Sequence, residues 1–252
     1  MIALTHVTSP KLEQGERTHV GRAPIDFDRA MRQHANYCDM LRRLGAEVRI
    51  LDVNRDLPDS VFIEDTALVL DELAILASMG AASRRSETIG IEGVLREYRE
   101  VYRIELPATL EGGDVTLIGR TLLVGLSSRT NIDGVQALKT IVERFGYRLV
   151  PVKLGRCLHL KTACTALPNG TLLVNPALVD SSVLGEFGII AVPEQEPWAA
   201  DVLSVGQRVC LPMEHKWTAQ MLAHRGFAVE TVDVSEFAKA EGGITCLSLL
   251  FE

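Results

Sequence analysis

Four polar residues stand near the starts of apolar, strand-like runs: Glu64, Glu111, His159 and Cys246. The first two gaps are 47 and 48 residues, and the third, 87, is close to two periods of ~44. A thiol and an imidazole suit covalent chemistry, because a thiolate attacks and an imidazole moves protons near neutral pH. Each also has a plainer reading. Cys246, six residues before the end in "EGGITCLSLLFE", is equally a small buried hydrophobe in a last strand. His159 is equally a satisfied core histidine. "CLHLKTAC" sets Cys157 and His159 on one face of a strand with Cys164 nearby, which allows a structural zinc site. Zinc sites usually add a second close pair, and none follows here.

The carboxylates add a second signal. Glu64 and Asp65 in "SVFIEDTA", and Glu111 in "LEGGDV", sit in apolar context, where an unpaired charge is expensive. They need backbone donors, arginines or a cationic ligand. A guanidinium offers five N–H donors in a planar fork and suits several carboxylates at once. Asp59 and Asp114 read instead as exposed hairpin ends. Gly112-Gly113 lets backbone approach a ligand or bends the strand. Arg84 and Arg85 in "AASRRSET", and Arg129 in "GLSSRTN", lie beside small residues. They are either solvated surface or bidentate anchors for a carboxylate. Together these residues suit a ligand with a guanidinium at one end and a carboxylate at the other.

Such residues, far apart in sequence, need a scaffold that brings them together. Hairpin signals recur, with turns at Asp71-Glu72, Gly119-Arg120, Pro168-Asn169-Gly170 and Gly206-Gln207. "GGITCLSLLF" reads as a final strand without a partner, and "MIALTHV" is able to supply one. Helical patterns lie between hairpins in "DFDRAMRQHANYCDMLRRLG", "RTNIDGVQALKTIVERFG" and "KWTAQMLAHRG", ending at Gly45, Gly146 and Gly226. Strands follow each in "AEVRIL", "YRLVPV" and "FAVETVDV". Five periods of α/β modules around an axis fill the chain, and equivalent positions then point polar side chains at the centre.

The bulk numbers narrow the class. A net charge of −7 over 252 residues gives no basic footprint for nucleic acid. With 47% hydrophobic residues there is ample material for a core. "MIALTHVTSP" lacks the basic region and apolar stretch of a secretory leader, and no run is long enough to span a membrane. Five scattered cysteines suit reduced thiols and predict a cytoplasmic protein. No linker or composition break appears, so a single domain over 1–252 is expected.

"LPDSVFIEDTA", "GAASRRSET", "LEGGDVTLIGRTLLVGLSSRTN", "CLHLKTACT" and "EGGITCLSLLF", in that order, resemble the guanidine-modifying superfamily over essentially the whole chain. The likeness is closest to the dimethylarginine dimethylaminohydrolase (dimethylargininase) family. The resemblance implies a five-bladed pseudo-symmetric α/β propeller, the pentein fold. It implies hydrolysis of Nω-methylated arginines to citrulline and an amine through a Cys thiouronium intermediate. It implies Cys246 as nucleophile, His159 as proton donor and base, and Glu111 as the residue that orients His159. Asp65 and Glu64 would hold the guanidinium, Asp59 the α-amino group, and Arg84 and Arg129 the α-carboxylate. Ala240 and Phe62 would line the pocket. "EQGERTHVGR" would form a lid, with the main chain near Arg17 touching substrate. Arg17 departs from the aliphatic residue frequent in the family, and Ser78-Met79 from a frequent Arg-Pro pair. No metal or organic cofactor is implied, and no nucleic-acid or membrane partner; a homodimer is compatible with the sequence. An arginine deiminase, an amidinotransferase acting on another substituted guanidine, and a non-catalytic arginine-binding protein remain the alternatives.

Overall fold

The structure is a computed structural model that describes residues 1–252. Alternating apolar residues on either side of tight turns build one unit five times. In each unit a short inner strand folds back antiparallel onto a middle strand, which then pairs in parallel with an outer strand. The strands are β1 (Ile2–His6), β2 (Glu47–Leu51), β3 (Ala67–Val69), β4 (Leu73–Leu76), β5 (Glu100–Arg103), β6 (Val115–Ile118), β7 (Thr121–Leu126) and β8 (Arg148–Lys153). They continue with β9 (Cys164–Ala166), β10 (Thr171–Val174), β11 (Gly188–Ala191), β12 (Leu203–Val205), β13 (Arg208–Pro212), β14 (Ala228–Val232) and β15 (Leu249–Phe251). The sheet orders are β15-β1-β2, β3-β4-β5, β6-β7-β8, β9-β10-β11 and β12-β13-β14. The last strand therefore closes the ring on the first, with Ile2 opposite Phe251 and Leu4 opposite Leu249. This is the five-bladed α/β propeller expected from the repeat.

A parallel middle-to-outer pairing needs a crossover, usually a helix. Four blades use α1 (Phe27–Arg43), α2 (Glu87–Leu95), α3 (Ile132–Val142) and a later helix, Lys216–His224. The fourth blade crosses with one 3-10 turn at Ser181–Leu184. Asp26 and Asn131 cap α1 and α3 by accepting from the amides of Arg29 and Gly134. Gly45, Gly146 and Gly226 end their helices in the left-handed region, as expected. Helix α2 was not legible from periodicity. Its sequence carries Gly90 and Gly93, and its apolar residues point both ways: Ile91, Val94 and Leu95 are buried while Ile89 is exposed.

The core lies between blades and helices. Tyr37, Cys38, Met40 and Leu41 of α1 pack with Val234 and Phe237, and other clusters join neighbouring blades. No helix is long and apolar enough to cross a membrane.

One expectation is corrected throughout. The polar positions do not ride on strands. Glu64 and Asp65 lie in a 3-10 turn, Ile63–Thr66, just before β3. Glu111 precedes the turn Gly112–Asp114 that enters β6. His159 caps a one-turn helix, Leu160–Ala163, that enters β9, so Cys157 and His159 do not share a strand face. Cys246 lies in a 3-10 turn, Thr245–Leu247, before β15. A turn at the head of each inner strand aims its side chain at the axis, which a pleated strand starting there would not do.

Candidate active site

The turns bring Glu64, Asp65, His159 and Cys246 to the walls of two neighbouring cavities, with Glu111 buried against His159. A narrow slot of about 20 Å³ is lined by Asp59, Phe62, Asp65, Arg84, Arg129 and Ala240. A chamber of about 320 Å³ lies on the other side, against Glu64, Lys161, Asp201 and Thr245. Cys246 and His159 line both.

His159 is held from two sides. Its Nε2 lies 2.8 Å from Glu111 Oε2, and its Nδ1 lies 3.6 Å from Asp65 Oδ1. Burial opposes a charge on the ring, but the charges of Asp65 and Asp114 and the Glu111 hydrogen bond outweigh it and raise His159 to about 9. Burial likewise opposes the Glu111 charge, and the His159 hydrogen bond and charge hold that carboxyl below its ordinary range. The Gly80 amide donates a further bond to Glu111 at 3.0 Å. Gly113 is required for this packing: a Cβ there would fall 2.6 Å from His159 Nδ1 and 2.7 Å from Asp65 Oδ1. Gly112 is required for a different contact, since a Cβ there would fall 2.0 Å from the Glu64 carbonyl oxygen.

Cys246 is partly exposed to the cavities, and its Sγ accepts from the Gly243 amide at 3.3 Å. Burial pushes its thiol well above the usual range, and the charges of Asp201, Asp65 and Glu64 push the same way. At neutral pH the site therefore pairs a neutral thiol with an imidazolium. A cation among those carboxylates offsets their part of this push, while the larger part comes from burial.

The two arginines expected to share one role are differently placed. Arg84 is nearly sealed from water and donates to Asp65 Oδ2 at 2.7 Å, Glu87 Oε2 at 2.9 Å and the Phe62 carbonyl at 3.2 Å. With the Nε–H, which donates to Glu87 Oε1 at 3.1 Å, those bonds leave one N–H of its fork uncommitted. Its main partners are inside the protein, while it also lines the slot beside Arg129. Arg129 is also buried, but its Nη1 has no hydrogen-bond partner and lies 3.9 Å from Glu111. Its guanidinium lines the slot with Nη1 free to donate, held there by a long ion pair with Glu111 rather than by a hydrogen bond.

The remaining candidates divide. Asp65 accepts from Arg84 and from the Gly113 amide at 3.2 Å. Glu64 is already paired, with Lys161 Nζ at 2.6 Å and Thr245 Oγ1 at 2.8 Å. That pair lines the chamber, and a third cavity of about 310 Å³ shares it as a wall. Asp59 and Asp114, read as exposed, are both buried. Asp59 accepts from the Glu16 amide at 3.0 Å, and Asp114 from Ser127 Oγ at 2.6 Å and the Leu160 amide at 3.0 Å. Arg17 turns its guanidinium to the carbonyls of Ala23 and Glu13, away from both cavities.

Asp201 belongs to the site and was not foreseen. It lies just before β12, is buried, and accepts from the Thr245 amide at 3.3 Å. Burial and the Glu64 charge push it up to about 7. The 87-residue gap between His159 and Cys246 holds its signal: Asp201, at the head of the blade between theirs, occupies the position that the period leaves vacant.

The only grouped metal-capable donors are Asp65, Glu111 and His159. Their atoms already bond one another and Arg84. Neither Cys157 nor Cys164 joins them, and burial raises those thiols to about 11 and about 12, where they are poor ligands. The zinc reading of "CLHLKTAC" does not fit.

Comparison with known proteins agrees with this geometry. Residues 19–180 match the family model described as eukaryotic N,N-dimethylarginine dimethylhydrolase. The chain is 42% identical to the N(G),N(G)-dimethylarginine dimethylaminohydrolase of Streptomyces coelicolor, over 98% of this chain and 95% of the relative. It is 36% identical to that of Pseudomonas aeruginosa, over 93% and 92%. The fold superposes with a TM-score of 0.93 on the Pseudomonas aeruginosa enzyme solved with citrulline, at 33% identity, covering 99% of this chain and 98% of the other. The chain belongs to the dimethylarginine dimethylaminohydrolase family.

Proposed function

We propose that this chain hydrolyses Nω-methylated arginines, releasing citrulline and dimethylamine or methylamine. The observation that carries this reading is a neutral thiol set among buried carboxylates, an imidazolium lining the same cavities, and the buried Arg129 on the slot with its Nη1 free of a hydrogen-bond partner. Those features match a guanidinium, a leaving amine and a carboxylate on one small molecule.

The guanidinium enters beside Asp65, and its charge offsets the carboxylates around Cys246. The thiol loses its proton to solvent, and Sγ bonds to the guanidinium carbon. His159 holds Glu111 through Nε2, while Nδ1 has no acceptor within hydrogen-bond reach, so Nδ1–H is the proton available to the leaving nitrogen. The C–N bond breaks, the amine departs, and an S-alkylthiouronium remains on Cys246. Neutral His159 then takes a proton from water, the hydroxide adds to the same carbon, and the C–S bond breaks to give citrulline. Glu111 keeps the ring oriented in both steps. Arg129 pairs with the α-carboxylate and Asp59 with the α-amino group, with Ala240 and Phe62 as walls. Thiol and imidazole supply the covalent and proton-transfer steps without a metal or organic cofactor.

The whole chain acts as one domain, because β15 completes the blade that β1 begins. Its five unpaired cysteines support a reducing, cytoplasmic setting.

The test is product analysis on asymmetric dimethylarginine, monomethylarginine and arginine, with Cys246→Ser as control. Citrulline from the methylated substrates, absent in the variant, is expected. Citrulline from arginine alone would replace the proposal with a deiminase, and no turnover of any guanidine with a tightly bound arginine would replace it with a binding protein.

A further inference from the structure

Glu241 is the one non-glycine residue with positive φ, +63°. L side chains rarely adopt that backbone, and where they do the surroundings enforce it. Glu241 follows Ala240 of the slot and precedes Gly242, Gly243 and, five positions on, Cys246. Its carboxylate reaches outward to the segment 15–24, which has no helix or strand of its own. One oxygen, Oε1, accepts from three consecutive amides: Thr18 at 2.7 Å, Val20 at 2.7 Å, and His19 between them. Thr18 Oγ1 donates to the other oxygen at 3.3 Å. Successive amides converging on one anion form a nest, a strong and directional binding arrangement.

The segment has a second anchor. The Glu16 amide donates to Asp59, and Ser83 Oγ donates to the Glu16 carboxylate. One end is thus tied to the slot and the other to the loop that carries the nucleophile. Between them, His19 and Val20 form part of the chamber wall beside Cys246. The loop beneath Glu241 is firm: the amides of Ala240 and Gly242 both donate to the Phe237 carbonyl, at 2.8 and 2.9 Å. A side chain on Gly242 would collide with the Phe62 ring.

We propose that Glu241 is a positioning residue that latches segment 15–24 over the site and ties its closure to the Cys246 loop. This rests on the cavities being the active site. Glu241 lines both cavities, and with its left-handed backbone the carboxylate is engaged by the amides of Thr18–Val20 at the chamber wall.

The experiment measures three quantities on the full chain for wild type, Glu241→Gln, Glu241→Ala and Glu241→Gly. They are hydrogen exchange at residues 15–24, the rate of Cys246 alkylation by iodoacetamide, and KM with kcat for asymmetric dimethylarginine. In the Ala and Gly variants, exchange at Thr18–Val20 rises about tenfold or more, the scale of losing charge-assisted hydrogen bonds. Alkylation accelerates, and KM rises about tenfold while kcat changes less. The Gln variant falls between, since it keeps an acceptor and loses the charge. The Gly variant removes the latch and the backbone strain together, so it melts no lower than wild type, which separates loosening from misfolding. Unchanged exchange in both the Ala and Gly variants would overturn the proposal. Faster exchange with unchanged alkylation and KM would overturn the link to the site. Exchange and alkylation need no substrate, so a failure of the proposed reaction and a failure of the latch give different results.

Discussion

On the outer face, Arg55 lies 2.6 Å from Asp52 and Arg42 2.8 Å from Asp39, with these side chains about half exposed. At the channel, Arg84 lies 2.7 Å from Asp65 with both side chains nearly sealed from water. The distances are alike and the physics is not. Water already solvates the outer charges, so their pairing adds little. The inner charges lost their hydration on folding, and removing one partner strands the other, at a cost of about 3–5 kcal/mol. A fold that keeps Asp65, Glu111, His159, Arg84 and Arg129 buried together does so against that cost. The clustering of buried charges therefore marks the site, whereas an exposed pair such as Arg55–Asp52 marks none.

The sharpest way to break this comparison is at the His159–Glu111 pair. His159→Ala should lower kcat by about 10²–10⁴-fold, the usual worth of a positioned acid–base group, in a steady-state assay of amine release. Glu111→Gln should act in the same direction and shift the pH profile to lower pH, because the imidazolium loses a partner that raises it. An effect no larger than that of a rim substitution would erase the distinction. Next come the two arginines. Arg84→Met should be felt first in stability, by about 3–5 kcal/mol in denaturant unfolding, since it uncovers Asp65 and Glu87. Arg129→Met should be felt first in KM, raised about tenfold or more, because its fork has no internal hydrogen bond at Nη1 to lose. Reversal of these two signatures would reverse the assignment.

A smaller effect concerns pH. At neutral pH the free site holds a neutral thiol and a protonated His159, one proton more than the attacking state requires. kcat/KM, which reports on the free enzyme, should rise with pH until the pair loses its first proton near pH about 9. It should fall once the second is lost. A profile already flat from pH 6 would mean a thiolate in the resting site. The smallest effect is the control: Arg55→Ala should leave kcat, KM and melting temperature unchanged within error, as an exposed pair requires.

The fold was legible because its repeat writes itself twice, once as hairpin turns and once as a period in polar residues. The closing pair of terminal strands followed from an unpartnered strand at each end. Helix α2 escaped because apolar residues on both its faces blur a helical period. Asp59 and Asp114 escaped because alternation tells which face of a strand is wet, not whether another blade covers a turn. The Lys161–Glu64 pair and the Arg84–Glu87 bond depend on rotamers and on spacing between blades, which no local pattern encodes. Asp201 was legible in principle, since four residues at a five-fold period leave one position to fill.

The most direct test of the account is to catch the intermediate. Enzyme turning over asymmetric dimethylarginine is quenched in acid, and its intact and peptide masses are measured. The account predicts a covalent adduct of the substrate's amidine on Cys246, absent without substrate and absent in Cys246→Ser. Turnover with no adduct on Cys246 under any quench time, or turnover surviving in Cys246→Ser, would contradict it.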